Sequence, residues 1–248
     1  MKTTLTDLAR QLETKLKPLY GTLIRNVQHI KGAKSFFCVQ WGKNFPTGEQ
    51  EGILFVGRAT NGWVTDSEEL EELFGNDQNK AIFNRENQME WAEKRLGYNT
   101  RKSAFWRVIR QVAISYYPAN WFSHIAWSNL YKVSPYQGGN PDYSFKAAQE
   151  NVCHEILKNE IETLSPKIVI FLTGKSWAEN FIHYLNNHQP TKSTAREEWD
   201  KYVCKLYQIN HTYYILSEHP ERKKEEEHVR SILSLIKQTH QQNNALCP

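Results

Sequence analysis

The sequence predicts an α/β fold with a mostly parallel sheet, and three observations lead there. Two short apolar runs, Ile53–Val56 (ILFV) and Lys167–Leu172 (KIVIFL), are too short for buried helices and read as interior strands. Segments with helical apolar spacing alternate with the strand candidates, which implies parallel pairing through right-handed crossovers. Polar loops follow these strands (GRATNGW, SNLYKVSP, TGKSW and SEHPER), and parallel pairing gathers them at one sheet edge, where such folds bind ligands.

Each element has its own justification along the chain. Leu5, Leu8, Leu12 and Leu16 share one helical face, so an amphipathic helix opens the chain. Residues 35–41 (SFFCVQW) read as a strand or edge segment, and 53–57 as a buried strand. Residues 67–74, 79–97 and 102–115 read as helices, the last with Phe105, Val108, Ile109 and Val112 on one side. His124–Asn129 is a strand candidate that ends in a loop carrying Pro135, Gly138 and Gly139. A long helix over 143–164 turns Val152, Ile156 and Leu164 inward, and Pro166 separates it from KIVIFL. A helix at about 175–185 precedes a polar stretch, NNHQPTKSTAREE, which reads as a surface loop. Residues 202–208 and 212–216 are rich in β-formers and are candidates to pair. A last helix carries Val229, Ile232, Leu233, Leu235 and Ile236. With no repeat and no linker, residues 1–240 read as one domain and 241–248 as a disordered tail.

Composition bounds the function without naming it. The 248 residues are 40% hydrophobic and 23% charged, as expected of an ordinary globular chain. A net charge of +4 permits a nucleic-acid partner without requiring one. Aromatic content is high at 12%, which supplies a ring-rich core and, on a functional reading, stacking surfaces. Cys38, Cys153, Cys204 and Cys247 form no CxxC pair, so zinc-ribbon and iron–sulfur spacings are absent. The charged N-terminus is not a signal peptide, and no run approaches the roughly 18 apolar residues of a membrane span. A reduced, cytoplasmic protein with no membrane partner is expected.

The polar loops hold the candidate chemistry. Gly57, at the end of the first buried strand, allows close approach of a ligand to backbone. TGKS is not a phosphate-binding loop, because Val169 stands where that pattern needs its first glycine. Glu225, Glu226 and Glu227 suit the first turn of a helix, while Arg222, Lys223 and Lys224 are placed to meet phosphates. His219 lies just past a buried strand and before a loop-fixing proline, a position that favours function over a structural role. Asn129 offers a donor and an acceptor from one planar group, which suits the edge of a base or an amide.

In this order, ILFVGRATNGW, SNLYKVSP, PKIVIFLTGKSW and ILSEHPER resemble the uracil-DNA glycosylase superfamily, over residues 53 to about 236. SNLYKVSP is similar to the asparagine–valine–lysine–proline loop of branches that otherwise carry an iron–sulfur cluster. ILSEHPER is similar to the family's histidine–proline loop. The resemblance implies a three-layer α/β/α sandwich around a four-stranded, mostly parallel sheet. It implies a monomeric, monofunctional enzyme that flips a pyrimidine from DNA and hydrolyses its glycosidic bond, with DNA as partner; the four cysteines do not reproduce the iron–sulfur pattern, so no metal or cofactor is expected. His219 would stabilise the departing base anion and Asn129 would read its Watson–Crick edge. Gly57, Arg58, Ala59 and Thr60 would line the base site, with Tyr131 stacking there. Phe105 and Trp106 could also stack, although both fit the helix core better. Lys132, Lys175, Arg222 and Lys223 would contact DNA, Arg222 as the minor-groove wedge.

The first loop departs from the family pattern. Relatives carry an acidic residue or asparagine one or two places after the glycine, to handle water; here Arg58 and Ala59 stand there. Asn61 or Asp66 would take that role. Thr60 and Asn61 replace the proline and tyrosine that exclude bulk at the pyrimidine C5 position in uracil-specific relatives. A C5-modified cytosine, and with it phage defence, therefore stands beside uracil as the expected substrate. The loss of the acid also permits a DNA-binding relative without catalysis. A small-molecule enzyme on a doubly wound sheet is the reading outside nucleic acids.

Overall fold

Four parallel strands form the centre of the computed structural model, which describes residues 5–45, 52–60, 69–74, 89–94 and 99–245. They are β3 (Ile53–Gly57), β4 (Ile125–Asn129), β6 (Ile168–Leu172) and β9 (Thr212–Ser217), ordered β4-β3-β6-β9. The short strand β2 (Gln40–Trp41) joins β4 antiparallel. At the other edge β8 (Tyr202–Ile209) and β7 (Ala195–Trp199) continue the sheet antiparallel, giving seven strands among the described residues. A separate two-stranded ribbon pairs β1 (Lys34–Phe36) with β5 (Val133–Pro135).

Side-chain alternation divides the core. Leu54, Val56, Val169, Phe171, Tyr214 and Leu216 face a layer built from α1 (Leu5–Val27), α5 (Tyr143–Leu164) and α6 (Lys175–Leu185). Ile53, Phe55, Ile168, Ile170, Leu172 and Ile215 face α4 (Ala104–Tyr116) and α7 (Glu225–Ala245) on the other side. Two short helices, α2 (Leu70–Phe74) and α3 (Trp91–Lys94), and two 3-10 turns, Thr100–Lys102 and Trp121–His124, complete the described elements. The result is the three-layer α/β/α sandwich. No helix among the described residues is long and apolar enough to cross a membrane.

Element by element, the expectations hold for α1, β3, α5, β6 and α6. Leu8, Leu12 and Leu16 are buried, as their spacing predicts. Asp142 caps α5, its Oδ1 accepting the Phe145 N–H at 2.9 Å. Four expectations need correction. The central parallel sheet has four strands as implied, but antiparallel edges extend it. The segment 35–41 is two strands in two sheets. The polar stretch 186–198 is not all loop: Ala195 to Glu198 begin β7, whose alternating exposed charges suit a solvated edge strand. The C-terminal tail does not begin at 241, because α7 runs on to Ala245, with no proline before Pro248 to stop it. Most of the 79–97 helix expectation lies outside the described residues; Trp91–Lys94 within it is helical.

Candidate functional site

The register of β3 and β4 creates the site. Gly57 and Asn129 are cross-strand partners at the carboxyl ends of the two strands, and alternation turns both toward the α4 layer. A Cβ on Gly57 would overlap Asn129 Oδ1 and lie 3.2 Å from the Phe105 ring, so only glycine lets the amide sit there. Asn129 is 1% exposed, and its Nδ2 has no hydrogen-bond partner among the described residues. A buried, unsatisfied amide is costly, so a ligand or a water that completes it is favoured there.

One ring borders this pair and a second stacks on it. Phe105, at the start of α4, is half-buried and near-parallel to the His219 imidazole, with ring centroids 6.4 Å apart and 16° between planes. Ser103 caps this helix by accepting the Trp106 N–H at 3.4 Å. Burial pushes His219 down to about 4, with the Arg58 charge adding to the effect, so the ring is neutral at neutral pH. His219 Nδ1 accepts the Glu221 N–H at 3.4 Å, which leaves the ring proton on Nε2 as a donor.

Arg58 spans two strands. Its Nε donates to Thr173 O at 2.7 Å, and its guanidinium lies 5.1 Å from the Trp177 ring centroid. A Cβ on Gly174 would stand 3.6 Å from Arg58 Nη2 and 3.2 Å from Glu218 Oε2, so cation and carboxylate converge above that glycine. Gly174 adopts φ +83°, which fits its place at the β6-to-α6 turn.

Not every sequence-derived candidate reaches the site. Lys132 is fully buried, and its ammonium bonds Glu160, Ser128 and the Asn129 carbonyl, so it does not meet DNA. Tyr131 packs edge-on against Trp177 and Phe181 at 6% exposure, so its ring belongs to the α6 layer. Thr60 is buried and bonded to Ser134 Oγ, which donates back to Thr60 O at 2.6 Å. Ala59 packs on the α1 and α5 side of the core. Trp106 lies in the core against Trp91 and Trp127. Asn61 and Asp66 lie outside the described residues. Lys175 is surface-exposed beside Glu179, Lys223 lies over the Tyr202 ring, and Arg222 projects from the loop tip with φ 58°.

Two site residues were not singled out in the sequence, Glu218 and Glu160. Glu160 carries a readable signal, being an acid on a stripe otherwise made of Cys153, Ile156, Leu157, Ile161 and Leu164. Glu218 carries none beyond its place next to His219.

A buried asparagine thus sits beside a strand-end glycine, next to a ring that stacks on a neutral histidine. The model of the uracil-DNA glycosylase superfamily matches residues 42–235, which hold every strand and loop of this site. The chain belongs to that superfamily. A comparison with curated proteins returns no match. Membership in the uracil-DNA glycosylase superfamily brings a DNA-glycosylase type of function, that of a hydrolase, with DNA as the partner.

Proposed function

We propose that the protein excises a flipped pyrimidine from DNA by hydrolysing its N-glycosidic bond and leaves an abasic site. The unpartnered amide of Asn129, buried against Gly57 and Phe105, carries this reading. Asn129 reads the Watson–Crick edge, and Phe105 stacks on the base in place of the unstacked neighbours. As the bond breaks, the sugar becomes oxocarbenium-like and the base gains negative charge. The neutral His219 donates from Nε2 to that charge as it develops. Water is handled by Asn61 or Asp66. Arg222, Lys223 and Lys175 hold the phosphates, and the enzyme acts as a monomer in the cytoplasm, without a cofactor.

The substrate is uracil or a cytosine carrying hydroxymethyl or glucosyl at C5. Thr60 and Asn61 stand where uracil-specific relatives have the proline and the tyrosine whose ring closes the C5 side, and Thr60 is bonded to Ser134. A modified cytosine would give the protein a role against phages with such DNA. A second reading is favoured by Arg58, which stands where relatives have the water-handling residue: the protein binds altered DNA without cutting it. Oligonucleotides carrying uracil, cytosine, 5-hydroxymethylcytosine and glucosylated cytosine, assayed for alkali-labile cleavage, separate the two. Excision of at least one base, slowed about a hundredfold but still measurable in Asn129→Ala and His219→Ala, is expected. Tight binding without abasic product, with affinity intact in His219→Ala, would establish the second reading instead.

A further inference from the structure

Lys132 and Glu160 form an ion pair that is 0% exposed on both sides. Such a pair is weak ground for stability, because desolvation offsets much of the attraction and apolar residues of similar size pack as well. Its geometry shows what apolar residues would not supply. The Lys132 ammonium has three hydrogens and three acceptors: Ser128 Oγ at 2.6 Å, Asn129 O at 2.7 Å and Glu160 Oε2 at 2.9 Å. Ser128 Oγ in turn donates to Glu160 Oε2 at 2.6 Å, closing the network. Alternation along β4 sends Ser128 toward α5, where Glu160 sits, and sends Asn129 to the opposite face. The network thus grips, from behind, the main chain of the residue whose side chain faces the base site.

The rest of this loop is held the same way. Gln149 Oε1 accepts the N–H groups of Lys132 and Val133 at 3.1 and 2.9 Å, and its Nε2 donates to Val133 O at 2.8 Å. Leu130 N and Tyr131 N donate to the carbonyls of Gly57 and Arg58 at 2.9 and 3.0 Å. The Asn129 carbonyl is the point where a buried cation enters this scheme. Without that donor, the peptide after the last residue of β4 keeps only the Leu130 N–H bond to Gly57 O, and the amide is held less firmly.

We propose that Lys132, anchored by Glu160 and Ser128, is a positioning residue that fixes the Asn129 amide for base recognition. The proposal rests on the glycosylase reading above. It is tested by replacing the pair together, Lys132→Met with Glu160→Met, and separately by Ser128→Ala. Excision is measured with enzyme in excess on the best base of the oligonucleotide panel, alongside melting temperature. The double variant should keep a melting temperature near wild type and lose at least tenfold in excision rate. Ser128→Ala should lose less, about threefold. In an Asn129→Ala background neither change should cause further loss, because both act through that amide. A folded double variant with excision within twofold of wild type overturns the proposal. So does a loss that persists undiminished when Asn129 is already alanine. Should the double variant fail to fold, Ser128→Ala decides by the same coupling. A wild type inactive on every base overturns the glycosylase reading and this proposal together, whereas an active wild type with uncoupled variants overturns this proposal alone.

Discussion

Gly57 shows how one absent side chain makes a site. Its Cα leaves room for Asn129 Oδ1, and an added Cβ would overlap that oxygen and crowd Phe105 from 3.2 Å. Gly57→Ala should therefore displace the amide, the ring or both. A hundredfold or greater loss of excision is expected, about 2.7 kcal/mol of transition-state stabilisation at 1.36 kcal/mol per decade. Overpacking should cost only about 1–3 kcal/mol of stability. Steady-state kinetics beside urea denaturation check it; excision within threefold of wild type would show that the amide does not need this space. At this scale the sequence discloses residues by position. Asn129 and His219 stand at or just past the ends of apolar strands, where polar side chains have little structural reason to be. Lys132 misleads for the same reason. It sits in a polar-looking loop, and the acid that buries its charge lies 28 residues away in α5. Phe105 was assignable to core from its helical spacing, yet the first turn of α4 ends at the site, and spacing alone does not reveal where a helix ends in space.

Among the elements, the junction of β9 and α7 holds the histidine loop in place. Ser217, the last residue of β9, bonds His228 Nε2 in α7, and Cys204 of β8 meets the same hydroxyl at 2.9 Å. Trp199 of β7 stacks on the His228 ring at 4.7 Å, with 17° between planes. His228 is fully buried, and burial, aided by the Lys223 charge and by His219 as it too protonates, pushes it down to about 4. The unfolded chain's histidine titrates near its ordinary value of 6.5, so between the two values the unfolded state binds more protons. The stability of the neutral ring is complete above about pH 6.5 and is lost as pH falls toward 4. About 2 kcal/mol should disappear between pH 7 and pH 5 from this group alone. His228→Phe, which keeps a ring against Trp199, should flatten the urea-denaturation profile by that amount. Parallel profiles for wild type and variant would remove His228 as the cause. The β8–β9 pairing and α7 were readable in the sequence, but the contacts of this junction were not. Its partners come from β7, β8, β9 and α7, and β7 was hidden because a charged edge strand lacks the apolar run that marks a buried one.

At the scale of the whole molecule, the parallel sheet turns loops distant in sequence into one basic edge. Lys175 opens α6 beyond β6, while Arg222, Lys223 and Lys224 follow β9; Lys146 stands 3.7 Å from the Trp177 centroid, near Arg58. The net charge of +4 is small, so DNA affinity depends on where these cations sit more than on the total. Cations that neutralise phosphates release counterions, and the logarithm of the binding constant falls with the logarithm of salt by about 0.9 per phosphate on duplex DNA and about 0.7 on a single strand. Arg222 is the sharpest probe of this edge. It is 91% exposed at the loop tip, and its φ of 58° is a conformation that glycine adopts without strain. Arg222→Gly thus removes the guanidinium while keeping the backbone of the histidine loop. Binding should weaken on every oligonucleotide alike, with the salt slope reduced by about 0.9 on duplex or about 0.7 on single-stranded DNA and base preference unchanged. Anisotropy titrations across a salt series give the slope, and the base panel gives the preference. A slope equal to that of wild type would show that Arg222 meets no phosphate, and a changed base preference would place it in recognition instead.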